Sequence, residues 1–172
     1  MTFDDLVDAR VERLRGNAVL DHVFEAASVF GDDGRGWIAA AALRSRRADR
    51  PLPTFARQMA WLTIESVLVN GPAKGLVRRS RPASTREARR HVRRPSNSSF
   101  PSGHAASAAT MAMLLSEDGL APLWWTLALT VAASRVYVGV HHPSDVIGGL
   151  AVGTAIGWAA RHVELPLPAP LS

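Results

Sequence analysis

The chain contains no cysteine, so disulfides and thiolate metal sites are excluded and the redox compartment cannot be read from thiols. Aromatic residues make up only 6% of it, and none falls in the basic stretch 78–94. A nucleic-acid reader that stacks bases on aromatic rings lacks its platform there. Long apolar runs are scarce as well. Only 120–140 approaches the roughly 20 near-continuous apolar residues of a membrane-crossing helix. No alternating strand pattern or internal repeat stands out, and the charges throughout 1–17 argue against a cleavable signal peptide. Lysine is the scarcest basic residue: Lys74 stands alone against 19 arginines. Where arginine serves at every other basic position, a single lysine marks a place that wants a compact ammonium.

What is present is apolar for a soluble domain: 47% hydrophobic and 20% charged residues, with a mean hydropathy of +0.03. The 172 residues suit a single domain, 1–172. A net charge of +5 comes from arginine clusters at 44–50 and 78–94, which suit anionic lipid headgroups, phosphorylated substrates or nucleic acid. Residues 1–17 read as an amphipathic helix, with Phe3, Leu6, Val7, Val11 and Leu14 at helical spacing and a Thr2/Asp5 capping box. That helix either packs on the domain or lies in a membrane interface. Apolar runs in 18–43, broken at Gly31-Asp32-Asp33-Gly34, predict a helical hairpin or one interrupted crossing. Pro51 and Pro53 mark a loop, 54–71 an apolar helix containing Glu65, and 72–100 a long basic loop. Helices are expected at 102–117, 121–139 and 144–163, and the proline-rich tail 165–172 is expected to be disordered. The fold class is all-α, a bundle of five or six helices. Small residues in 105–112 and 148–160 suit close helix packing, in lipid or in a soluble bundle.

Three short blocks stand out against this background. Lys74 precedes Arg81-Pro82 by seven residues; Pro101-Ser102-Gly103-His104 follows; Ser134-Arg135 then leads to His141 and Asp145. A phosphoryl group needs cations around its oxygens, a nucleophile in line and a proton donor for the leaving oxygen. Lys74, Arg81 and Arg135 bring cations from separate segments. Arg135 lies in an apolar run, where an unpaired charge is costly, so a buried partner such as a phosphate is expected. A helix starting near Ser102 would turn the N–H groups of Ser102 and Gly103 outward as an anion site, with His104 placed to protonate the leaving oxygen. Arg78, Arg79, Arg86, Arg89, Arg90, Arg93 and Arg94 read as solvated or headgroup-facing charges.

These blocks, K-x6-R-P, P-S-G-H and S-R-x5-H-x3-D, together resemble the signature of the type 2 phosphatidic acid phosphatase superfamily, with every fixed position filled. That superfamily includes lipid phosphate phosphatases, soluble acid phosphatases and vanadium haloperoxidases. The resemblance implies a membrane-embedded bundle and a metal-independent, cofactor-free hydrolase. It implies that His141 attacks phosphorus to give a phosphohistidine and that Asp145 orients it, with Lys74, Arg81, Ser102, Gly103 and Arg135 binding the phosphate. His142 departs from the family pattern, which often has an aromatic residue there. Short members without signal peptides resemble integral lipid phosphatases, so the expected setting is the cell membrane, as a multi-pass protein with a lipid phosphate as substrate. Candidate lipids are a polyprenyl pyrophosphate, a polyprenyl-linked sugar phosphate, phosphatidic acid and phosphatidylglycerol phosphate. The alternatives are an arginine-rich nucleic-acid binder, which the missing aromatics disfavour, and an inactive membrane adaptor, which the complete motif disfavours. A zinc site built from His104, His141, His142 and Asp145 would meet three converging cations. The sequence leaves open the lipid, the number of crossings, the side the site faces and the oligomeric state.

Overall fold

A computed structural model describes residues 1–82 and 97–165; the arginines from 86 to 94 and the tail 166–172, read above as solvated charges and a disordered end, lie outside them. Among the described residues there is no strand. The helices are α1 (Phe3–Glu12), α2 (Ala18–Gly31), α3 (Arg35–Ser45), α4 (Pro51–Leu68), α5 (Lys74–Val77), α6 (Gly103–Leu115), α7 (Ala121–Tyr137) and α8 (Pro143–His162). Six of these run eleven residues or more, in line with the all-α bundle read from the sequence.

The helix α6 is the axis of the bundle. Ten of its thirteen residues are buried, because its alanine-rich sequence lets neighbours close in from all sides. The main neighbours are α8, α7 and α4. On α8, glycines repeat every fourth residue and remove the side chains that would hold α6 away. A Cβ on Gly153 would stand 2.1 Å from the Ala106 carbonyl oxygen, and one on Gly149 would stand 2.4 Å from that of Ser102. The Thr110 hydroxyl donates to the Gly153 carbonyl at 3.0 Å across the same seam. The larger apolar side chains, Trp37, Trp61, Met111, Leu114 and Leu115, fill the far end of the bundle.

Local chemistry explains most boundaries. The Asn17 side chain accepts from the N–H groups of Val19 and Leu20 and starts α2. The break at 31–34 is a tight turn with Asp33 and Gly34 at positive φ, so α2 and α3 form the expected hairpin. Pro51 and Pro53 do not form a loop; both fit the first turn of α4, where no N–H is required, and the helix starts earlier than predicted. The basic loop expected at 72–100 begins as helix: α4 runs on through a π-helical turn, Val69–Ala73, into α5. Such wide turns recur at functional sites.

The helix α1 has its predicted capping box, with the Thr2 N–H donating to Asp5 at 2.7 Å and the Asp5 N–H to the Thr2 hydroxyl at 3.2 Å. It docks on α7 and α8 with Val11 against their core, leaving Phe3 and Leu6 exposed. Among the described residues no helix is both long and apolar enough to cross a membrane, so helix length does not supply the multi-pass arrangement expected above.

Candidate active site

The three sequence blocks meet at one end of α6. A cavity of about 700 Å³ opens there, lined among others by Lys74, Arg81, Gly103, His104 and His141. The π-helical turn aims Lys74 inward, and the Lys74 ammonium donates to the Asn70 side-chain oxygen at 2.7 Å. Burial and the neighbouring Arg81 push the Lys74 ammonium down to about 8, against the opposing pull of Glu65. A Cβ on Gly103 would lie 3.4 Å from the Asn70 side-chain oxygen and 3.9 Å from the Lys74 nitrogen, ordinary contact distances, so the first turn of α6 lies against this pair.

His141 stands in the turn between α7 and α8, and only 2% of it is exposed. Its Nε2 lies 3.1 Å from Arg81 Nη1, and Nδ1 faces Asp145 Oδ2 at 3.7 Å. Burial drives the imidazole down to about 4; Asp145 opposes this and the Arg81 and Arg135 cations add to it. His141 is therefore neutral at physiological pH, with a lone pair available at one nitrogen. The gap to Asp145 is spanned by a residue that sequence reasoning misses. The Ser99 hydroxyl donates to Asp145 Oδ2 and lies 3.5 Å from His141 Nδ1. Ser99 is fully buried, yet in the sequence it is one of several serines in a polar loop.

Asp145 is held on both oxygens. Oδ2 also accepts the His142 N–H at 2.8 Å, and Oδ1 accepts from Arg79 at 2.8 Å. Arg79 is thus not the solvated charge expected from the sequence. Its guanidinium bridges Asp145 and Asp4, because a fully buried carboxylate needs a cation beside it. Arg78 does remain exposed. A second correction concerns Ser102. Its N–H does not point outward but donates to the Asp145 carbonyl at 3.0 Å, and its hydroxyl lies 3.5 Å from the Ala105 N–H as the cap of α6. Ser102 ties α6 to α8, and of the pair Ser102 and Gly103 it is Gly103 that lines the cavity.

Arg135 is fully buried and does not line the cavity; it contacts the Ser28 hydroxyl and lies 3.9 Å from Asp32. Its Nε and Nη2 have no hydrogen-bond partner. His104 Nε2 meets Asp32 Oδ1 at 2.9 Å, so this histidine has its own carboxylate, delivered by the turn between α2 and α3. Nothing in the local spacing announces that pairing, since the two residues are 72 positions apart. His142 caps α8 instead of lining the cavity. Among the described residues no three His, Asp or Glu side chains are grouped so as to hold a metal ion.

The sequence profile of the PAP2 superfamily matches residues 55–166, which include all three blocks. A curated relative, the decaprenylphosphoryl-5-phosphoribose phosphatase of Mycolicibacterium smegmatis, is 37% identical over 129 residues, covering 72% of this chain and 68% of that protein. The fold is shared with the crystal structure of Aquifex aeolicus LpxE, at a TM-score of 0.76 and 24% identity over 95% of this chain and 97% of that one. It is shared too with the first transmembrane PAP2-type phosphatidylglycerolphosphate phosphatase from Bacillus subtilis, at a TM-score of 0.66 and 21% identity over 92% and 83% of the two chains. Profile, relatives and fold agree with the motif blocks: the chain belongs to the PAP2 superfamily, and it is a phosphatase.

Proposed function

We propose that the protein removes phosphate from a lipid-linked phosphate monoester at a membrane, with a polyprenyl-linked sugar phosphate as the leading substrate. The observation that carries this reading is the convergence of Lys74, Arg81, His104 and His141 on one cavity, with Asp145 behind His141. His141 Nε2 attacks phosphorus while the bond from phosphorus to the leaving oxygen breaks, and His104 gives its proton to that oxygen. Water then attacks phosphorus, its proton passing to His104, while the bond from phosphorus to His141 Nε2 breaks and inorganic phosphate leaves. Lys74 and Arg81 neutralise the charge on the phosphoryl oxygens at the cavity wall, aided by the backbone at Gly103, and Arg135 adds positive potential from its buried place behind the wall. This cationic cage does the work a metal would otherwise do, so the reaction is metal-independent.

The sugar phosphate is favoured by the cavity wall beyond the cage. Thr63, Glu65, Ser66 and Asn70 line it, a polar surface suited to a hydroxylated headgroup, and the curated relative acts on a phosphoribosyl lipid. A membrane setting is supported by apolar side chains left facing outward on several helices, among them Val19, Leu43, Leu52, Leu76 and Trp158, which are 59–84% exposed. The test is phosphate release by purified protein from a panel of a polyprenyl-linked sugar phosphate, a polyprenyl pyrophosphate, phosphatidic acid and phosphatidylglycerol phosphate, with His141→Ala as control. Turnover of the sugar phosphate at least tenfold above the others supports the assignment; a preference for another member replaces it.

A further inference from the structure

The α1 helix lies outside the matched family region, yet it grips both ends of the turn that carries His141. At its N-terminal end, Asp4 Oδ1 accepts the Ser144 N–H at 2.9 Å, and Asp4 Oδ2 accepts from the Ser144 hydroxyl at 2.8 Å. The same Oδ2 accepts from Arg79 Nη2 at 2.7 Å, while Arg79 Nη1 donates to Ser144 at 2.7 Å and to Asp145 at 2.8 Å. Just beyond its C-terminal end, Arg15 donates to the Val136 and Tyr137 carbonyls at 2.9 and 2.8 Å, satisfying the last turn of α7. The segment 138–142 between these clamps contains Gly139, at a φ of +74, and His141.

We propose that α1 is a brace for the nucleophile, with Asp4 and Arg79 as positioning residues that act on His141 through Asp145. The inference rests on the reading of His141 as nucleophile and Asp145 as its acceptor. The physics is direct. A guanidinium held on Asp145 Oδ1 keeps the group ionised and fixes its rotation, so Oδ2 stays turned toward Ser99 and His141. Asp4 is needed because Arg79 has an alternative: it also lines a second cavity of about 500 Å³ beside Lys74 and Arg81. Without its anchor, a forked cation on a flexible stem swings toward the phosphate site and leaves Asp145 with one oxygen unheld. The brace thus keeps Arg79 on the carboxylate side of the histidine and out of the cage.

The test is steady-state kinetics of the full chain with p-nitrophenyl phosphate, alongside thermal melting. Asp4→Asn is expected to lower kcat about tenfold with KM changed less than twofold, and Asp4→Glu to recover at least part of that loss. Arg79→Gln should cost at least as much as Asp4→Asn, and the double variant no more than Arg79→Gln alone. A lower melting temperature with kcat unchanged in the folded fraction would mean that α1 is only packing, and would overturn the proposal. Where Asp4→Asn does not fold, Ser144→Ala carries the same test by removing the hydroxyl that Asp4 and Arg79 share: a fall in kcat at constant KM supports the brace, and no change overturns it. His141→Ala separates the two readings. Its retention of activity would sink the assigned nucleophile; an inactive His141→Ala beside a fully active Asp4→Asn sinks the brace alone.

Discussion

Two histidines face the same cavity, and each has a carboxylate behind it, but the two pairs are built in opposite ways. His141 and Asp145 are four residues apart at the start of one helix, both almost fully buried and 3.7 Å from each other, with Ser99 between them. His104 and Asp32 come from distant parts of the chain, touch directly at 2.9 Å, and are 18% and 26% exposed. The first pair is over-determined: Arg79, Ser99 and the His142 N–H all hold the carboxylate. The second is delivered by a tight turn between two helices, with Arg135 3.9 Å from Asp32. A group that must attack along one line needs fixed geometry, whereas a group that only shuttles a proton tolerates movement. The construction of each pair therefore matches the role proposed for it.

The hardest way to break this comparison is at His141. His141→Ala should abolish phosphate release from every substrate with the fold intact by circular dichroism, while His142→Ala stays near wild type; the reverse result would move the nucleophile by one residue. Asp145→Asn should cost about a thousandfold in kcat, as expected when a histidine loses the acceptor that sets its tautomer. A change confined to KM would contradict that role. His104→Ala is a sharper comparison, because a proton donor matters only when the leaving group needs a proton. With an alkyl phosphate the loss should be about 10²–10³-fold, and with p-nitrophenyl phosphate it should be far smaller. Equal losses would make His104 a binding group.

Lys74→Arg should lower turnover at least tenfold, because a planar fork does not fit where a compact ammonium sits beside Arg81. Its pH dependence is a second check. Burial holds His104 below the ordinary histidine value, so loss of its proton begins the alkaline fall of wild-type kcat/KM; loss of the Lys74 charge near pH 8 adds a second fall, which the Lys74→Arg enzyme, slower throughout, should lack. On the acid side, protonation of His141 should limit kcat/KM only near pH 4, not near the ordinary histidine value of about 6.5. The smallest effect is expected from Asp32→Asn: a loss of about threefold to tenfold, seen only with poor leaving groups. A loss as large as that of Asp145→Asn would erase the distinction between the two pairs. EDTA should change none of these rates, and restoration of a chelated enzyme by divalent metal would require another mechanism.

What can be read from the sequence follows the same division. His141, Asp145 and Arg135 share one short segment, so the family resemblance picks them out together, and local caps mark the starts of α6 and α8. The all-α fold is legible because helical periodicity and caps are local. Asp32, Asp4 and Ser99 are not legible, since each acts on a residue brought near only by tertiary packing. Arg79 escapes for a related reason. Eight arginines crowd 78–94, and composition cannot single out the one that holds a carboxylate. Ser102 shows the opposite error: a motif serine at a helix start suggests an anion donor, but its N–H is taken by Asp145.

The seam between α6 and α8 works as a spacer gauge for the reaction. His104 rides on one helix, and the turn holding His141 leads into the other, so the distance between the two histidines is set by how closely the two backbones approach. Hydrogen atoms on Gly149 and Gly153 fix that distance. Gly149→Ala would wedge the first turn of α6 away from α8 at the Ser102 carbonyl and lengthen the reach across phosphorus, although it touches no reacting atom. In such a variant kcat and stability would fall together, because the added methyl meets backbone that has to move as a whole.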